Sequence, residues 1–168
     1  MSSQKILIKN GTVVHSDKVE VTDVLIEDQV IGRIGNNISV SVDREIDAAS
    51  KLVLPGGIDS HCHIEQRSAS GLVNSDTFLS GTTAAALGGN TTVIPFAAQY
   101  EGDSLTNIVQ EYHELAENNA IVDYSMHMII AGPSDDVIDF QLPKLIREGH
   151  SSITVSYTHL TLPTILLV

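Results

Sequence analysis

The chain of 168 residues carries 21 acidic and nine basic side chains, for a formal net charge of −12, and the basic residues are scattered. That pattern excludes nucleic acid and an anionic membrane surface as partners and favours a soluble protein. The single cysteine, Cys62, cannot close an internal disulfide. The first residues lack the apolar core of a signal peptide, and no apolar run reaches bilayer length, so a cytoplasmic protein is expected.

Residues 5 to 54 read as β-structure. Ile6-Leu7-Ile8 leads into Asn10-Gly11, a strong hairpin signal, and then Thr12-Val13-Val14. Val24-Leu25-Ile26 passes through Glu27-Asp28-Gln29 into Val30 to Ile34, a second strand–turn–strand unit, and Ile46 and Leu52 to Leu54 supply two short extended pieces. Strands this short need partners, which implies a small sheet or sandwich. Pro55-Gly56-Gly57 ends that pattern.

From residue 58 the rhythm becomes strand, loop, helix. Phe78 to Leu87 is alanine-rich and stopped by Gly88-Gly89. Thr91 to Phe96 reads as one strand buried on both faces. Leu105, Ile108, Val109, Tyr112, Leu115 and Ala116 follow helical spacing behind Ser104 as N-cap. Asp123 to Ile130 is the next strand, and Val137 to Arg147 is helical with a second start at Pro143. Ser151-Ser152-Ile153 opens a further strand. This alternation predicts a parallel sheet with crossover helices, either doubly wound or a (β/α)8 barrel. After Ile153 the pattern fails. Thr154 to Val168 contains no charged residue and no glycine. The run Val155 to Thr164 resembles translated sequencing-adaptor read-through, so residues 154–168 are expected to be a foreign tail.

At the junction of the two halves stands Ile58-Asp59-Ser60-His61-Cys62-His63. If this stretch is extended, His61 and His63 aim at one point while Cys62 faces away. Two imidazoles converging from a strand end suit a metal ion. Cys62 then reads as a buried structural thiol. Asp59 shares the face of His61 and either orients a ligand histidine or simply ends the strand. His127 reads as a packed, hydrogen-bonded histidine and Tyr112 as core. Asp135 and Asp136 read as helix-start charges.

Three blocks carry a resemblance: Leu54 to Gln66 (LPGGIDSHCHIEQ), Ser80 to Phe96 (SGTTAAALGGNTTVIPF) and Glu148 to Ile153 (EGHSSI). With them, residues 1–153 resemble the N-terminal third of a cyclic amidohydrolase of the dihydropyrimidinase and hydantoinase family. Allantoinase, dihydroorotase and a non-catalytic dihydropyrimidinase-like scaffold are the alternatives within the same framework. The resemblance implies an α/β fold: residues 1–54 as part of a small β-sandwich, and 55–153 as the first three to four βα units of a truncated (β/α)8 barrel. It implies a binuclear zinc site, with His61 and His63 as ligands of the more buried metal. A carboxylated lysine, two further histidines and an aspartate would complete that site. It also implies a small cyclic amide as substrate and a homotetramer as the assembly of the full-length parent. The loop from Glu65 to Ser75 would overhang the site, making Gln66 and Leu72 candidates for substrate contact. Where the family has its bridging lysine this chain has Thr154, which cannot form a carbamate. The chain by itself is therefore expected to lack hydrolase activity. An incomplete barrel with open sheet edges is also expected to be aggregation-prone.

Overall fold

In the computed structural model, which describes residues 4–155, the chain divides after Pro55 into two units. The first contains β1 (Lys5–Val14), β2 (Val19–Glu27), β3 (Val30–Gly35), β4 (Arg44–Asp47) and β5 (Leu52–Val53). They form one five-stranded sheet in the order β3-β2-β1-β4, with β5 also on β1. The β1–β2 and β2–β3 pairs are antiparallel, whereas β4 and β5 run parallel to β1. Leu7, Leu25 and Ile38 make its buried apolar cluster.

The hairpin expected at Asn10-Gly11 does not form. β1 continues straight through these residues, and the pairing with β2 slips there in a β-bulge, with Asn10 at φ 61°. The buried Asp23 carboxylate decides this outcome. It accepts hydrogen bonds from the backbone N–H groups of Asn10 and Ile38, each at 3.0 Å, so the positive φ of Asn10 serves a bulge instead of a turn. Gly11 has no room for a side chain: a Cβ would lie 2.5 Å from Val53 Cγ2, so only glycine lets β5 approach β1 here. The strand–turn–strand unit at Glu27 to Gln29 forms as expected.

The second unit is mixed α/β. In chain order it comprises β6 (Gly57–Asp59), α1 (Phe78–Leu87), β7 (Asn90–Val93), β8 (Phe96–Gln99), α2 (Leu105–Glu117), β9 (Asp123–Tyr124) and β10 (His127–Ile130). A π-helical turn (Val137–Gln141), α3 (Leu142–Arg147) and β11 (Ile153–Val155) follow. All its paired strands are parallel, in the orders β6-β7-β9 and β8-β10-β11. The strands expected over Thr91–Phe96 and Asp123–Ile130 are thus each broken in two. Pro95 has no N–H to give the ladder, which interrupts the first. Single bonds carry the pairing across the breaks: Ile94 N–H to Asp59 O at 2.8 Å, Ser125 N–H to Val93 O at 3.1 Å, and His127 N–H to Pro95 O at 2.8 Å.

Both long helices have the ends their sequences specify. Thr77 and Ser80 form a capping box on α1, and Gly89 follows its C-terminus at φ +89°. Ser104 caps α2 by accepting from Asn107 N–H, and Leu105, Val109, Tyr112 and Ala116 are buried. That stripe joins Ile64, Phe78, Val93, Ala97, Met126 and Met128 in the main core. Of the expected foreign tail, Thr154 and Val155 pair with Ile129 and Ile130 as part of β11. The remainder of the tail lies outside the described residues. Among the described residues, no helix is long and apolar enough to cross a membrane.

Candidate metal centre

The expectation that Ile58 to His63 is one extended run needs correction. β6 stops at Asp59, whose Oδ1 accepts from the backbone N–H of His61 at 3.1 Å. This Asx-type turn ends the strand, so Asp59 shapes the backbone under His61 and does not hold an imidazole. His61 and His63 therefore sit on the loop directly beyond the C-terminal end of a parallel strand, both exposed.

Their rings remain neighbours, with centroids 5.4 Å apart and planes at 78°. Phe96, the buried first residue of β8, lies against both. Its ring is 4.7 Å from His61 in an edge contact and 5.1 Å from His63 in a stacked one. His127, from the first position of β10, packs on the same phenyl ring at 4.9 Å. Both of its nitrogens are engaged, Nδ1 with Ser152 Oγ at 2.6 Å and Nε2 with Ser60 O at 2.9 Å. That is the packed, hydrogen-bonded histidine the sequence suggested.

The loop after His63 is built, not loose. Ile64 is buried and its carbonyl accepts from the Tyr112 hydroxyl on α2. The next residue, Glu65, stands at φ 51°, and its carboxylate accepts from Phe78 N–H at 2.9 Å, at the start of α1. Gln66 N–H then donates to Asn74 Oδ1 at 3.1 Å while Asn74 N–H donates to Gln66 O at 3.2 Å. Arg67 bridges to Val73, and its guanidinium meets Asp103 Oδ2 at 2.7 Å. The Tyr100 hydroxyl donates to Arg67 O at 3.1 Å.

A cleft of about 410 Å³ beside His63 is lined by Gln66, Leu72 and Tyr100 among others. Both residues expected to touch substrate thus border the cleft that contains His63. Leu72 presents 73% of its surface to solvent. The Gln66 amide oxygen, by contrast, is committed to His63 Nδ1 at 2.5 Å.

Cys62, expected as a buried thiol, is half-buried and packs against the edge of the apolar core. Burial pushes its thiol up to about 11, with the Asp59 charge adding to the shift and the backbone N–H of Ile94 opposing it. A thiol held protonated in this way is a poor nucleophile at neutral pH. Among the described residues no group of three or more His, Cys, Asp or Glu side chains is placed to hold a metal ion. Of the residues expected as ligands, His61 and His63 stand side by side. Thr154 sits on β11, opposite Ile129.

Sequence reasoning did not find Phe96 as the shared floor of three histidines, nor the bonds from Gln66 to His63 and from Tyr112 to Ile64. Helical spacing placed Tyr112 in the core, but the partner of its hydroxyl is 48 residues away and carries no local signal.

No protein-family model matches the chain. It is similar to the D-hydantoinase of Geobacillus stearothermophilus, with 42% identity over 142 residues, covering 84% of this chain and 30% of that protein. It is also similar to the D-phenylhydantoinase of Escherichia coli, with 38% identity over 158 residues, covering 92% of this chain and 34% of that protein. Among solved structures, a D-hydantoinase superposes with a TM-score of 0.85 at 38% identity, over 94% of this chain and 34% of its own. The dihydropyrimidinase of Brevibacillus agri superposes with 0.84 at 34% identity, again over 94% and 34%. The chain therefore spans about a third of the length of the relatives it matches.

Proposed function

The chain belongs to the hydantoinase and dihydropyrimidinase family, and from that premise we propose that it supplies the first pair of metal-ligating imidazoles to a hydrolase of cyclic amides. The observation that carries this reading is the placement of His61 and His63. They stand with rings 5.4 Å apart, just past the C-terminal end of a parallel strand. Strand ends of that kind are where (β/α)8 barrels keep their chemistry.

The donor set fits zinc, which takes neutral imidazole nitrogen readily. His61 and His63 would hold it on a hydrophobic floor formed by Phe96. A bound ion of this kind supplies Lewis acidity toward an amide carbonyl and lowers the pKa of bound water. This chain's own residues do the remainder: Phe96 packs the rings in place, while the Tyr112–Ile64 bond and the Gln66–Asn74 pair hold the loop that carries them. Gln66 and Leu72, on the border of the cleft, would meet the substituents of a hydantoin or dihydropyrimidine ring. We further read the βα units as the opening part of a (β/α)8 barrel, the sheet of the first unit as part of a β-sandwich, and the parent protein as a cytoplasmic homotetramer.

With Thr154 at the position of the bridging lysine and two imidazoles as donors, the chain alone is expected to open no ring. The reading is tested by a chimera in which Met1–Ile153 replace the matching stretch of the Geobacillus stearothermophilus D-hydantoinase. Ring opening of hydantoin or dihydrouracil, abolished by His61→Ala or His63→Ala, is the expected result. A folded chimera whose turnover is indifferent to both substitutions would sink the proposal.

A further inference from the structure

We infer that Gln66 is the positioning residue for His63: it holds the imidazole as the Nδ1–H tautomer, so that Nε2 is the nitrogen offered to a cation. The inference rests on the metal-site reading above and extends it to a residue outside the ligand pair.

Three observations converge on it. The Gln66 amide oxygen lies 2.5 Å from His63 Nδ1. An amide oxygen only accepts, so Nδ1 carries the hydrogen, and a neutral imidazole has one to give. Nε2 is then left with its lone pair free for a cation. Second, the base from which the Gln66 side chain departs is fixed. Its N–H and C=O both pair with Asn74, and the next residue is held by Asp103 and by the Tyr100 hydroxyl. Only the rotamer freedom of the Gln66 side chain itself is lost when the bond forms, because its backbone is already ordered. Third, the His63 ring is already stacked on Phe96 at 5.1 Å and 19°. Phe96 sets the plane of the imidazole and Gln66 sets which edge faces which way. An amide achieves this without placing negative charge beside the ion.

The test uses the full chain and side-chain nitrogen NMR about two pH units above the ordinary histidine range, where imidazoles are neutral. Zn²⁺ affinity is measured in parallel by competition with a chromophoric chelator. His63 is expected as the Nδ1–H form. Gln66→Leu should shift it to the Nε2–H form and weaken Zn²⁺ binding by about 10- to 100-fold. Gln66→Glu, which keeps an acceptor, should retain both the tautomer and the Zn²⁺ affinity of the unsubstituted chain. The His113 signals, set by its 2.7 Å bond to Tyr124, serve as the control that the fold is intact. An Nε2–H His63 in the unsubstituted chain overturns the inference, as does a tautomer or a Zn²⁺ affinity unmoved by Gln66→Leu, or a failure of Gln66→Glu to rescue. If the tautomers behave as expected while the unsubstituted chain takes up no Zn²⁺, the hold of Gln66 on His63 stands and the metal reading fails.

Discussion

The hydroxyl of Tyr112 donates to the carbonyl oxygen of Ile64, tying the buried face of helix α2 to the residue directly after His63. Both residues are nearly inaccessible, at 6% and 5% exposure, so neither group has water as an alternative partner. The position of the loop that carries His61 and His63 therefore depends on a helix some 50 residues further along the chain.

Tyr112→Phe removes the donor and leaves the Ile64 carbonyl buried without it. A loss of about 1–3 kcal/mol in urea unfolding is expected, the usual cost of an orphaned buried polar group. Burial first, and then the neighbouring Cys62 and Glu65, raise the Tyr112 phenol above its usual range. A raised acid holds its proton more tightly folded than unfolded, so its contribution is full below about pH 10 and is lost as pH rises beyond that. The alkaline fall in stability should accordingly be shallower in the phenylalanine variant.

Cys62 follows the same sign. Its thiol is pushed up to about 11 in the folded chain, against an ordinary value of 9.0. Stability from this group is present below about pH 9 and declines from there toward 11. Iodoacetamide labelling at neutral pH should be slow in the native chain and fast in urea. Equal rates in the two states would contradict the packing of Cys62 against the core.

Gln99, 1% exposed, ties two loops together. Its Nε2 donates to the carbonyls of Tyr100, Asp103 and Gly132, and its Oε1 accepts from Gly132 N–H at 3.2 Å. Gln99→Leu keeps the volume and strands those groups. An expected loss of about 2–3 kcal/mol should come with faster amide exchange at Gly132. Unchanged exchange there would show that the loops hold without it.

Asp23 does comparable work in the first unit. Asp23→Ala leaves the N–H groups of Asn10 and Ile38 unpaired. It should cost about 2 kcal/mol and speed exchange at those two amides before any other in the sheet. Asp23→Asn, which keeps one acceptor oxygen, should be milder.

Periodicity was enough to reveal most elements, because the buried stripe of α2, the caps Thr77 and Ser104, and the β-branched runs are all local features of sequence. The misreadings lie where a distant group overrode a local signal. Asn10-Gly11 has hairpin chemistry, but the Asp23 carboxylate captures Asn10 N–H and turns the positive φ into a bulge. Thr91 to Phe96 has strand composition throughout, but Pro95 breaks the ladder and starts a second strand whose first side chain becomes the floor of the site.

The sequence by itself determined that two imidazoles would stand one residue apart at the end of a strand, since that spacing and the preceding apolar run are written consecutively in the chain. It also determined the family, through three blocks of matching residues. Only the tertiary structure decided what holds those imidazoles: Phe96 beneath the rings, Gln66 on Nδ1 of His63, and Tyr112 on the carbonyl of Ile64. The reason is physical. Ring packing and buried hydrogen bonds are satisfied by whichever groups the fold brings within a few ångströms, and separation along the chain does not limit that choice.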